Sequence, residues 1–297
     1  LTTRESVEES MQRLADDGQA IVARQARLAA PLLGISRPIV EDSYGGIYGS
    51  AVTNGAGAFG RLTLGSVSLL GGVGWNEDRQ GRAELRDAVT FAGALRYVHG
   101  AGPIRPFAEA GGWTTQGADL RLSRTYLNGA GTATGIADTE GDISYIYLRL
   151  GAALMTGGDN ELAFSGEIGK ARLDIDAYLE PLGATNPFEA DVDERRERMR
   201  IVRLRGQYAH RIMGSLQATL YAARVWSRED GGRIVAVVPG IGTLGASPDN
   251  ARWFEFGGRL THDLGGALTI EIFGDGGTGE DRVGHGAQAG IALRTRF

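Results

Sequence analysis

The residue types that carry covalent or acid–base chemistry are sparse and scattered in this chain. It has no cysteine and four histidines, His99, His210, His262 and His285, each in a different segment. None lies beside a G-x-S-x-G phrase, and no His or carboxylate group has the spacing of a metal site. His210 and His262 read as interfacial side chains near strand ends. Gly274 to Asp281, GDGGTGED, is superficially calcium-like but lacks the rest of a helix-flanked calcium loop. Asp16-Asp17-Gly18 reads as a solvated or capping stretch. The expectation is a protein that is not an enzyme and uses no cofactor and no metal.

What recurs instead is charge alternating with apolar residues at a period of two, the signature of strands with two unlike faces. Ile146, Leu148, Leu150, Ala152 and Leu154 form one row against Tyr145, Tyr147, Arg149 and Gly151. Phe254, Phe256, Leu260 and Leu264 alternate with Glu255, Arg259, Thr261 and Asp263. An arginine facing lipid at mid-membrane costs about 2–4 kcal/mol. Arg96, Glu109, Arg149, Glu167, Arg203, Arg205, Glu255, Arg259 and Glu271, all near strand centres, are therefore expected to line a wet lumen, with the apolar rows outside. A soluble barrel would invert that arrangement. Arg224 does not fit, because it interrupts the row Leu216, Ala218, Leu220, Ala222.

Composition sets the outer limits. With 297 residues, 47 glycines and a net charge of -5, the mean hydropathy is -0.16. No run approaches the roughly 18–20 apolar residues of a spanning helix. Strands can still span, because each needs an apolar residue only at alternate positions. The mild acidity argues against nucleic acid as a partner. Absence of cysteine fits passage through an oxidising compartment. The opening LTTRESVEES has neither a basic nor an apolar leader region, so any export signal is expected to have been removed or to lie upstream.

The elements that must position these rows come in a simple order. Residues 1–34 read as a helix, rich in Glu, Gln, Ala, Leu and Arg, with capping boxes at Thr2/Glu5 or Ser6/Glu9 and a possible break at Gly18. At about 1.5 Å per residue it would reach ~40 Å, roughly the height of a membrane barrel; the alternative is an amphipathic helix packed outside a soluble domain. Residues 35–42 are a connector. Residues 43–297 divide into twelve strands, near 43–53, 56–65, 67–77, 87–99, 104–116, 142–156, 160–174, 197–212, 215–228, 250–264, 266–275 and 282–297. Tight turns (LGS, HGAGP, TGGDN, MGS, LGG) alternate with mostly long polar loops, as outer-membrane barrels require. Trp75, Trp113, Trp226 and Trp253 sit near strand ends and are expected to form interfacial girdles. In the last strand Ala289, Ile291, Leu293 and Thr295 share a face before the terminal Phe297.

That ending resembles the terminal strand of Gram-negative outer-membrane proteins, in which a final Phe after alternate apolar residues is read by the barrel-assembly machinery. Here the signal would be Ile291, Leu293 and Phe297. The whole order, a helix of about thirty residues, a short linker, twelve strands with alternating loops, phrases such as IRPFAEAGGW and FGGRLTHDL and the terminal Phe, resembles the translocator domain of a monomeric (type V) autotransporter. The resemblance implies an all-β, 12-stranded antiparallel transmembrane barrel with the N-terminal helix in its lumen, placed in the outer membrane of a Gram-negative bacterium. It implies a monomer among outer-membrane lipids and lipopolysaccharide, assembled by that machinery, which anchors and supports export of its own passenger upstream. A small-solute channel or a barrel enzyme is the alternative. Some members of that family cut themselves in the barrel at an Asn of the linker helix; the first Asn here is Asn54, beyond the helix, so passenger release would need another protease.

Overall fold

The computed structural model describes residues 3–129, 131–157, 160–279 and 285–297. From Tyr44 onward, alternating side chains drive the backbone into long antiparallel strands, and the strands close on themselves. In chain order they are β1 (Tyr44–Ser50), β2 (Asn54–Leu64), β3 (Val67–Asp78), β4 (Ala83–Val98), β5 (Ile104–Asn128), β6 (Gly131–Gly157), β7 (Asn160–Ile175), β8 (Tyr178–Glu180), β9 (Ala190–Val192), β10 (Arg195–Met213), β11 (Leu216–Glu229), β12 (Ile234–Val238), β13 (Gly242–Ala246), β14 (Ala251–Gly265), β15 (Leu268–Gly279) and β16 (His285–Arg296). Twelve of them form a closed barrel in the order β1-β16-β15-β14-β11-β10-β7-β6-β5-β4-β3-β2. Closure is made where β1 pairs with β16, Tyr44 opposite Arg296 and Ser50 opposite Gly290. No sheet edge is left in the barrel, which is the condition for strands to cross lipid.

The faces fall as the lipid argument requires. Ile146 (65% exposed), Ile168, Leu204, Phe254, Phe256, Ile272 and Ile291 point outward, while Arg96 is 1% and Glu271 0% exposed. Arg224 lies on the outward row with its guanidinium 4.2 Å from the Phe254 ring centroid, so the ring face accommodates the charge. The tryptophans do not make one girdle. Trp75 and Trp226 are partly exposed, but Trp113 and Trp253 are buried inside, Trp113 against Tyr145 and Trp253 donating its Nε1–H to Glu255 at 2.9 Å. Both lie on inward parity, which outranks their position near strand ends.

Three further features depart from the sequence reading. First, the expected loop over 123–141 is a continuation of the β5–β6 hairpin, paired through Asn128 and Gly131. A bulge between Thr115 and Ala118, with Gly117 at φ 58, shifts the inward set from Trp113 and Thr115 to Ala118, Leu120 and Leu122. Second, the two longest loops carry β8, β9, β12 and β13, which form a separate four-stranded sheet in the order β13-β12-β9-β8. Third, α1 runs from Thr3 to Ala29 without a break at Gly18, and residues 30–37 continue as tight turns. Thr2 of the first capping box lies outside the described residues. Ser6 of the second is already inside the helix, its Oγ accepting the Leu127 amide at 2.7 Å. Burial runs all round α1 from Leu14 to Ala29 rather than along one stripe, so the helix lies within the molecule and not on its surface.

Candidate functional site

The lumen is the site. Its wall carries a ladder of alternating charge set by strand register: Arg96 on β4 lies opposite Glu109 on β5, Glu109 opposite Arg149 on β6, Arg149 opposite Glu167 on β7, and Glu167 opposite Arg203 on β10. The ion pairs follow, Arg96–Glu109 at 2.6 Å, Arg149–Glu109 at 3.0 Å and Arg149–Glu167 at 2.7 Å, then Arg203 to Glu167 and to Glu255 at 3.0 Å. Tyr147 and Tyr145 donate to Glu109 and Glu167 at 2.8 and 2.7 Å. On the opposite wall Glu271 receives Arg259 at 2.6 Å, Arg37 at 2.7 Å and Arg294 at 3.2 Å. All nine charged positions named from the sequence face inward and are 8% exposed or less. Arg205 differs from the others: it sits 4.6 Å from the Tyr221 ring centroid and donates to the Ile35 carbonyl at 3.2 Å.

Two pieces of chain fill this space. The lower part is the connector, whose non-helical backbone needs partners that water would otherwise provide. The wall supplies them. The carbonyls of Ile35, Arg37 and Ile39 accept from Arg205, from Gln207 at 2.7 Å and from Arg61 at 3.0 Å. The Glu161 carboxylate takes the amides of Ile39 and Val40 at 2.7 and 3.0 Å, and Ser36 Oγ accepts from Arg259 at 2.9 Å. Arg37 is the anchor, held by Glu271 with its guanidinium 4.1 Å from the Phe59 ring centroid.

Above the connector sits α1, packed most closely on β5 and β13. Gln25 donates to Thr115 at 2.7 Å and to Thr90, Gln288 reaches the Arg27 carbonyl at 2.6 Å, and Arg24 donates to the carbonyls of Gln80 and Ala83. Gly18 lies at a close approach: a Cβ there would press on the end of the Glu197 side chain, whose carboxylate would have to move aside. Higher still, Val7, Met11 and Leu14 share a core with Leu120, Leu122 and Tyr126 of the hairpin and Val192, Ile234 and Ala236 of the four-stranded sheet. Arg124 ties all three parts together, bonding Glu180 of β8 at 3.1 Å and Ser10 of α1 at 3.1 Å. The N-terminal half of α1 is thus held at the rim of the long loops, and its C-terminal half is inside the barrel. Eight of the nine wall charges, all but Arg205, pair with one another, with Arg37 or with Arg294. A loop residue also pairs with the helix, Arg82 to Asp17 at 2.8 Å.

Below the connector, at the short-turn mouth, a recess of about 510 Å³ is bordered by Val40, Glu161, Thr261 and Arg294; higher up the space between plug and wall narrows. A void of about 20 Å³ remains where Ala26, Ile35, Trp113, Tyr145 and Arg205 meet, room for a water or two. The sequence reading misses Arg37, Glu161, Arg294 and the Arg124–Glu180 pair; Arg294 is on an inward row and could have been found by parity, whereas Arg37 lies in a segment with no period. His99, His210 and His285 hydrogen-bond Tyr97, Asn160 and Thr278 at exposed positions, and His262 is also exposed. Of the calcium-like stretch, Gly274 to Gly279 belong to β15, and Glu280 and Asp281 lie outside the described residues, as do 282–284 of the expected last strand. Ile291, Leu293 and Phe297 are exposed on the outer face.

No protein-family model and no curated protein matches this chain. Among solved structures it is similar to the translocator domain of the autotransporter NalP from Neisseria meningitidis, at 13% identity and a TM-score of 0.54, covering 95% of this chain and 98% of that one. It is similar to the toluene transporter TbuX of Ralstonia pickettii, at 12% identity and a TM-score of 0.51, covering 87% and 90%. The beta domain of the Bordetella autotransporter BrkA aligns at 16% identity with a TM-score of 0.47, covering 86% and 97%. At these identities what the first two share with this chain is the fold, a closed antiparallel β-barrel, here of twelve strands with one N-terminal helix.

Proposed function

We propose that this chain is an outer-membrane translocator and anchor that supports export of a passenger joined to the N-terminus of α1. The observation that carries this reading is the path of the chain: β1 starts at the short-turn rim, the connector and helix climb through the lumen, and Thr3 is reached at the long-loop rim. A polypeptide preceding Thr3 would therefore stand outside the cell while the barrel holds its tether. The exposed terminal row Ile291, Leu293 and Phe297 is offered on the outer face, where assembly machinery would read it, and the chain works as a monomer.

The filled lumen counts against the second reading, a conduit for small solutes. Fusing an epitope and an export signal upstream of Thr3 tests the first. The epitope should be reached by antibody on intact cells; detection only after the outer membrane is permeabilised would overturn the proposal. Deleting residues 1–30 separates the two readings. It should raise single-channel conductance severalfold and lower thermal stability, whereas unchanged conductance would show that the helix does not fill the pore.

A further inference from the structure

The chain is acidic overall, with a net charge of -5, yet one stretch of its outer wall is strongly basic. On β10 the outward residues are Tyr208, Leu204 and Val202, and then abruptly Arg200, Arg198 and Arg196. From His210 to Arg200 the strand climbs ten residues. At about 3.3 Å per residue and a tilt of about 40° that is ~25 Å, the height of the lipid-facing band of such barrels. Arg200 therefore stands at the upper edge of the hydrocarbon, on the long-loop side.

Register gathers neighbours at the same height. Lys170 of β7 lies directly opposite Arg200, and Arg228 of β11 lies opposite it on the other side. One step higher, Arg172 faces Arg198. Only part of this charge is answered from within the chain: Asp174 pairs with Arg172 at 2.6 Å and Arg196 at 3.8 Å, Glu194 with Arg196 at 4.0 Å, and Asp230 with Arg200. Lys170, Arg198 and Arg228 form no ion pair among the described residues. Like charges directly opposite on neighbouring strands repel, so an external anion is needed to balance the row. The side chains of Lys170, Arg172, Arg198 and Arg200 border a shallow groove of about 580 Å³ that Ile146, opposite Lys170, also lines.

We infer that this surface binds the phosphorylated sugar headgroup of an outer-leaflet lipid, the lipid A portion of lipopolysaccharide. Its acyl chains lie along Leu148, Ile168 and Val202 below, which are exposed and in register with one another, and its phosphates meet Lys170, Arg198, Arg200 and Arg228 above. The inference rests on the outer-membrane orientation proposed above. A soluble anion would need the cations but not the aliphatic wall beneath them; a lipid phosphate uses both.

The test uses the full chain purified in detergent, with the triple variant Lys170→Gln, Arg198→Gln, Arg228→Gln, whose folding is checked by heat-modifiable migration. Lipid A should raise the melting temperature of the native barrel, fully dephosphorylated lipid A should not, and the triple variant should bind lipid A about tenfold more weakly or worse. Equal stabilisation by both lipids, or by phosphatidylglycerol vesicles, would overturn the inference, as would full competition by millimolar inorganic phosphate or unaltered binding by a folded triple variant. Labelling a cysteine placed at Thr185 on intact cells tests orientation independently, so failure of that reading is told apart from failure of lipid binding.

Discussion

Arg149 shows what a single wall residue does. It bridges two glutamates that it meets in direct register, Glu109 and Glu167, so its removal leaves both carboxylates short of a partner in a space with almost no water. Breaking a buried pair from one side costs about 3–5 kcal/mol. Arg149→Met should therefore lower stability by that order, read as faster thermal unfolding in detergent. Arg205→Met should cost less, since Arg205 holds a carbonyl and a ring and its Nε is unpartnered; equal losses would mean that the ladder is not what holds the wall. A second residue bears on the sheet above the rim. The Tyr178 hydroxyl is buried without a hydrogen-bond partner among the described residues, and burial pushes its ionisation well above the ordinary tyrosine range. Tyr178→Phe should be neutral or stabilising by up to about 1 kcal/mol. The sign with pH follows. A raised value favours the neutral phenol in the fold, so the stability it contributes is intact below pH ~10 and is lost as pH climbs toward the folded value. Hydrogen exchange above pH ~10 should show the native sheet loosening more than the Phe variant; identical alkaline behaviour would count against this burial.

At the scale of elements, the twelve barrel strands were legible because lipid outside and charge inside impose a period of two over many residues. That rule stops where lipid stops. In the upper hairpin Leu120, Leu122 and Tyr126 face inward on the helix while Arg121 and Asp138 pair at 3.0 Å on the outer side, the reverse of the polarity lower down. The phase also slips at Gln116-Gly117, which is why a reading by parity ends the strand there. The four short strands left no periodic signal, since three to five residues cannot show a period and their partners are distant in sequence. The lumenal charges were readable because each keeps the inward parity of a long barrel strand; the connector's contacts were not, because an irregular backbone advertises nothing. Helix packing yields its own expectation. Gly18→Ala should be tolerated by displacement of the Glu197 carboxylate, whereas Gly18→Leu should dislodge the helix and raise single-channel conductance; silence from both would show that the fit at Gly18 is loose.

For the whole molecule, barrel, plug and rim sheet form one packed body, and the core that includes Val7 and Met11 also includes Trp253 and Val225 of the wall. The plug is thus part of the folded structure rather than a passing occupant. That accounts for the expected loss of thermal stability with residues 1–30, and it makes melting and conductance two readouts of one event.

The way α1 leaves its cradle sets the length of any stump. Arg4, Glu5, Glu8 and Glu9 are exposed and Arg13 is partly so, but Arg24 and Arg27 are enclosed. Trypsin given to living cells should nick after Arg4 or Arg13 and go no deeper. If the chain exports a passenger as proposed, a protease that frees it would have to work within that first stretch, and the remnant left behind would be a cork too short to grip from outside.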